Sequence, residues 1–226
     1  MKRRLLSLTA LVLCIALLLP LSAAGTASPA FTDISGHWAE DTIERFADKG
    51  IISGFPDGSF RPNRLVTRAE FAAIVTRAFE LNEEASFEFP DVDPGAWYYE
   101  YLKFAARFIP THQLPNEFSE PTFRGNSPAH RSDAAEASVL ITMHINDLEV
   151  DVPPLEELVQ QVRDTFRDSD YRYGDISFPN VQRLFRYTWL AVHLGIMEGR
   201  DGGYFRPAWG VRRAEVLTII DRMLAA

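Results

Sequence analysis

The sequence predicts an all-α fold: three helix–loop–helix repeats packed as a pseudo-threefold bundle, with one extra helix inserted between the second and third. Three observations lead there. Residues 60–75 read FRPNRLVTRAEFAAIV, residues 123–140 read FRGNSPAHRSDAAEASVL and residues 205–220 read FRPAWGVRRAEVLTII. Each stretch holds an arginine pair seven residues apart (Arg61 and Arg68, Arg124 and Arg131, Arg206 and Arg213), with an acid two residues further on at Glu70, Asp133 and Glu215. Upstream, Phe31-Thr-Asp33, Phe89-Pro-Asp91 and Phe178-Pro-Asn180 read as three matching openings. Apolar residues recur at helical spacing on both sides of each loop, and a two-helix unit of this size buries its apolar face only against its neighbours.

Residues 1–27 read as a secretory signal peptide. A basic head (Lys2, Arg3, Arg4) precedes an apolar run from Leu5 to Leu21 and then small residues, so cleavage after Ala24 or after Ala27 both fit. An uncleaved membrane anchor is the alternative, with a run at the short end of a span. Cleavage leaves no membrane span. Cys14, the single cysteine, lies inside the apolar run, so the exported chain has no disulfide to form.

The first repeat is expected over residues 31–80. Trp38, Ile43, Phe46 and Ala47 share one face of a helix that Gly50 ends. Phe55-Pro-Asp-Gly-Ser-Phe60 is a turn, and Thr67 with Glu70 makes a capping box ahead of Phe71, Ile74, Val75, Ala78 and Phe79. The second repeat, residues 89–146, keeps the tryptophan as Trp97 but carries His130-Arg131-Ser132-Asp133 at the cap and lacks the Gly-Ile-x-x-Gly segment. Residues 147–177 are surplus. Pro153-Pro154 opens a helix there, with the stripe Leu155, Leu158, Val159, Val162 and Phe166, that either covers the bundle or meets a partner. The third repeat, residues 178–226, keeps Gly195-Ile196…Gly199 and Arg213-Ala214-Glu215, with Arg212 in place of the capping threonine.

Composition narrows the function. Of 226 residues, 46% are apolar and 24% charged, which excludes collagen-like, mucin-like and wholly disordered chains. Three of the 23 basic residues and none of the 31 acidic ones lie in residues 1–30, leaving the remainder 20 basic against 31 acidic residues, a net −11. So acidic a body argues against nucleic acid as a partner. The histidines form no His-x-x-x-His or Cys/His cluster, so no metal or other cofactor is expected.

Residues 31–226 resemble three tandem S-layer homology (SLH) repeats. The resemblance rests on Phe31-x-Asp33 with His37-Trp38-Ala39, on Gly50-Ile51 through Gly54-Phe55-x-Asp57-Gly58-x-Phe60-x-Pro62, and on Thr67-Arg68-Ala69-Glu70. It implies a non-catalytic, secreted, cell-surface module whose inter-repeat grooves bind an anionic cell-wall polysaccharide or peptidoglycan-linked polymer non-covalently, often through a pyruvate ketal. It also implies a separate envelope protein as a candidate cargo. A protein-interaction scaffold with decayed glycan sites is the alternative, and an enzyme acting on wall polymer is not expected because no nucleophile motif, metal set or phosphate loop is present.

Arg68, Arg131 and Arg213 fall in the first turn of a helix, where a cation opposes the dipole by a few tenths of a kcal/mol. Free backbone N–H groups there attract anions, so an arginine in that turn reads as half of a carboxylate clamp, with Thr67 and Arg212 beside it. The competing reading is that each arginine pairs with an acid of a neighbouring repeat and pins the bundle. Trp38 and Trp97 either pack in the core or stack on a sugar ring, and Asp33 and Asp91 either cap the following helix or bind ligand hydroxyls.

Overall fold

The computed structural model describes residues 31–87, 89–111, 120–168 and 177–225. The signal-peptide reading and Cys14 lie outside them. Seven helices are described: α1 (Glu40–Asp48), α2 (Arg68–Ala78), α3 (Tyr99–Ala105), α4 (Arg131–Ile145), α5 (Leu155–Thr165), α6 (Pro179–His193) and α7 (Arg213–Met223). Among the described residues there is no extended sheet, only isolated backbone bridges, and the all-α prediction holds.

Local chemistry sets the helix ends. Thr67 caps α2 through a reciprocal box: Thr67 Oγ1 accepts from Glu70 N at 3.2 Å, and Glu70 Oε2 accepts from Thr67 N at 2.9 Å. At the end of α1, Gly50 takes φ +68°, Gly50 N donates to Ala47 O and Ile51 N to Phe46 O. This paired termination needs a left-handed residue, which glycine supplies without a Cβ penalty. Gly195 at φ +69° ends α6 in the same way, with Ile196 N on Ala191 O.

The units close into a ring. The second helix of each unit packs against the first helix of the next: α2 on α3, α4 on α6 and α7 on α1, while α5 lies on α6. At the axis, the residues just before the three second helices form a triangle of backbone hydrogen bonds. Val66 N donates to Val211 O, Val211 N to Ala129 O and Ala129 N to Val66 O, at 2.9–3.0 Å. All three residues are buried. Around them Phe71, Val75, Val139, Leu217 and Ile220 form the core, so the second helices are buried on several sides. Arg45 and Asp221 close the ring at the rim in a two-point pair, Nη1–Oδ1 2.5 Å and Nη2–Oδ2 3.0 Å.

The loops repeat a feature not foreseen from sequence. Arg61, Arg124 and Arg206 all take left-handed backbone, at φ 59°, 54° and 58°. Such a conformation costs a β-carbon residue about 1–3 kcal/mol. In each case one carboxylate bridges the strained N–H and the N–H of the buried phenylalanine before it. Asp33 does so for Phe60 and Arg61 (2.7 and 2.8 Å), Asp91 for Phe123 and Arg124 (2.9 and 2.6 Å), and Asp168 for Phe205 and Arg206 (2.9 and 2.6 Å).

This corrects the reading of the third opening. The counterpart of Phe31-Thr-Asp33 is Phe166-Arg167-Asp168, not Phe178-Pro-Asn180. Phe166 packs on Phe205 with ring centroids 5.3 Å apart, as Phe31 packs on Phe60 at the same separation. Pro179 and Asn180 instead form the first turn of α6. The inserted helix α5, which buries Leu158, Val159 and Val162, therefore ends at Thr165, directly before the third opening at Phe166.

Candidate functional site

The first-turn arginines are spent on the neighbouring unit. Arg68 is 1% exposed; its Nε donates to Phe123 O at 2.6 Å, its Nη2 to Pro110 O, and its Nη1 pairs with Asp133 at 2.9 Å. Arg131 repeats this one unit on, with Nε on Phe205 O at 2.7 Å, Nη2 on Glu198 O at 2.8 Å and an ion pair to Glu215. Arg213 closes the cycle, with Nε on Phe60 O at 3.0 Å and Nη2 on Ser53 O at 2.9 Å.

The helix N-termini are not free either. Arg68 N and Ala69 N donate to Ser127 O and Gly125 O, Arg131 N and Ser132 N to Trp209 O and Pro207 O, and Arg213 N and Ala214 N to Arg64 O and Pro62 O. The expectation of open amides beside each arginine is thus overturned: an adjacent backbone already fills them. Thr67 is committed to its cap. Arg212 makes no side-chain cap; its Nη1 donates to Asn63 Oδ1 at 3.2 Å, and the side chain is exposed. Asp33 and Asp91 neither cap α1 or α3 nor stand free for hydroxyls, because both oxygens of each bind the loop amides.

Cation pairing differs among the three arginines. Arg68 and Arg131 each meet the acid of the next unit. The corresponding acid for Arg213 is Glu70, which pairs instead with Arg64, and among the described residues no carboxylate pairs with Arg213. Burial, opposed by the more distant Glu70, pushes the Arg213 guanidinium down to about 10. It remains charged at neutral pH, only partly compensated.

Two grooves at unit boundaries are related by the pseudo-threefold. One, of about 330 Å³, runs along Ser53–Phe55 and α2 and includes Glu70, Arg77, Trp97, Tyr101 and Arg213. The other, of about 420 Å³, runs along residues 197–201 and α7 and includes Trp38, Arg131, Arg212, Glu215 and Arg222. Trp97 and Trp38 occupy equivalent places and are 59% and 67% exposed, so neither packs in the core. At the third boundary the position of Trp38 is held by Arg183, which forms an ion pair with Glu136 of α4. Burial raises the Glu136 pKa, opposed by Arg183.

Sequence reasoning missed Arg77 and Arg222, which lie nine residues after Arg68 and Arg213 in the matching helices. That shared offset was the available signal. Among the described residues no group of His, Cys, Asp or Glu could hold a metal ion, and no helix is long and apolar enough to cross a membrane.

The S-layer homology domain family model matches residues 30–72 and 190–217, which carry the first unit's opening, loop and cap and the third unit's glycine segment and cap. Those two stretches are S-layer homology domain sequence. The chain is 29% identical over 196 residues, 86% of its length, to an amylopullulanase of Thermoanaerobacterium thermosulfurigenes, and it covers 9% of that protein. It is 34% identical over 109 residues, 48% of its length, to the surface-layer 125 kDa protein of Lysinibacillus sphaericus, covering 9% of it. It is 44% identical over 69 residues, 30% of its length, to a cellulosome-anchoring protein of Acetivibrio thermocellus, covering 15% of it. The chain thus spans a small part of each relative.

Proposed function

We propose that this chain is a non-catalytic cell-surface module that attaches to an anionic cell-wall polysaccharide through the groove between its first two units. The observation that carries the reading is Arg213: a buried guanidinium with no carboxylate partner among the described residues, beside an exposed Trp97. A carboxylate on the polymer, such as a pyruvate ketal, would supply the missing counter-charge at Arg213 and Arg77, while Trp97 gives the sugar ring a face to stack on. The relatives' names, a surface-layer protein and a cellulosome-anchoring protein, support a surface location and an anchoring role. The ion pair of Arg183 with Glu136 leaves the third boundary with an internal charge balance, so the reading does not extend to it.

The test is co-sedimentation of the purified protein with cell-wall sacculi, before and after acid extraction of the secondary polymer. Binding that disappears on extraction supports the reading. Binding that survives extraction, or no binding at all, overturns it and favours the scaffold alternative, in which the partner is a protein.

A further inference from the structure

The two grooves differ in charge as well as in sequence. The Trp97 groove is lined by Arg77 and Arg213 against Glu70, a net +1. The Trp38 groove is lined by five arginines (Arg131, Arg200, Arg206, Arg212 and Arg222) against Glu198, Asp201 and Glu215, a net +2. Three of those five are matched: Arg131 and Arg200 share Glu215, and Arg222 pairs with Glu198 at 3.1 Å. Arg206 and Arg212 form no ion pair among the described residues. Arg206 lies over the Trp209 ring at 3.8 Å, and Arg212 holds only Asn63.

We propose that the Trp38 groove binds a doubly charged oxyanion, a phosphoryl group or a pair of neighbouring carboxylates, whereas the Trp97 groove takes a single carboxylate. This rests on the reading of the grooves as glycan sites. The reason is electrostatic. Like-charged guanidiniums gathered in one concave wall repel one another, and a ligand of matching charge removes that repulsion and gains charge-assisted hydrogen bonds. The strain is visible at Arg200, whose pKa is lowered by burial first and then by Arg212 and Arg206. The sequence feature responsible is specific: Arg212 stands where the first unit has Thr67, and no arginine lines the Trp97 groove at the corresponding place.

Incorporating 5-fluorotryptophan gives one fluorine resonance for each of the four tryptophans, assigned by single Trp→Phe replacements. The full protein is titrated at constant ionic strength with dianionic phosphate, malonate, acetate and lactate. The proposal expects the Trp38 resonance to saturate with phosphate or malonate at an affinity about tenfold tighter than with acetate. The Trp97 resonance shows no such preference, and Arg212→Gln, at an exposed position, brings the Trp38 preference down to that of Trp97. Phosphate ahead of malonate assigns a phosphoryl ligand, and the reverse assigns paired carboxylates. Equal response of Trp38 to acetate and the dianions, no response at all, or an unchanged preference in Arg212→Gln overturns the proposal. Dianion selectivity in a protein that fails to bind sacculi would leave this inference standing and the wall-binding reading failed; the opposite pattern would do the reverse.

Discussion

Arg68 reaches across the boundary between the first two units to place its Nη1 2.9 Å from Oδ2 of Asp133, with both side chains buried. The same guanidinium holds two backbone carbonyls of the second unit. Removing it takes the ion pair from a buried carboxylate, which is left with the His130 N–H at 3.0 Å, and the guanidinium donors from two carbonyls. Arg68→Ala is therefore expected to lose about 3–5 kcal/mol of stability, measured by chemical denaturation. Arg68→Met combined with Asp133→Leu should recover only part of that loss, because the apolar pair removes the uncompensated charge but leaves Phe123 O and Pro110 O without the guanidinium and His130 N without the carboxylate. A loss below about 1 kcal/mol would show that the neighbouring unit does not depend on this pair.

The three loop carboxylates make a sharper test of how the units align. Asp33→Ala, Asp91→Ala and Asp168→Ala each remove two hydrogen bonds from a left-handed turn and should each cost about 1–3 kcal/mol. Asn180→Ala, in the first turn of α6, should change stability by less than about 0.5 kcal/mol. Equal effects at Asp168 and Asn180 in thermal unfolding would contradict the alignment.

These comparisons show where the sequence was legible. The repeats, the Thr67–Glu70 box and the Gly50 stop all rest on local chemistry, and each lies where the residues put it. The third opening was misread because Phe178-Pro-Asn180 imitates Phe89-Pro-Asp91 within three residues, whereas Asp168 reveals its role only by bonding amides 37 and 38 positions away. The helix N-termini were misread for a similar reason. Their amides look free in any single helix and are filled only by the ring closure that brings residues 60–64, 123–127 and 205–209 onto the preceding unit's helix. The tryptophans share a helical face with core residues in the periodicity but fall at the helix start, where the groove opens.

The rim pair between Arg45 and Asp221 carries a pH signature. The Arg45 hydrogen bond holds the Asp221 carboxyl below its usual range. A carboxyl with a lowered folded pKa stabilises the fold above its ordinary pKa of about 4, and that contribution fades as pH falls through the lowered value. The pair is partly solvent-exposed, so Arg45→Ala should cost only about 0.2–1 kcal/mol at neutral pH. The difference between wild type and Arg45→Ala should shrink in acid and in high salt. A difference independent of both would assign Arg45 to packing rather than to charge.

The groove between the first two units is tested most directly by Trp97→Ala and Arg213→Lys, assayed for sedimentation with intact sacculi alongside their unfolding curves. Trp97 is exposed, and lysine keeps the charge of Arg213 while losing its two-point fork. Both variants are predicted to fold and to bind wall polymer about tenfold more weakly than wild type, a loss of about 1.4 kcal/mol. Undiminished binding by two folded variants would contradict the claim that this groove holds the polymer.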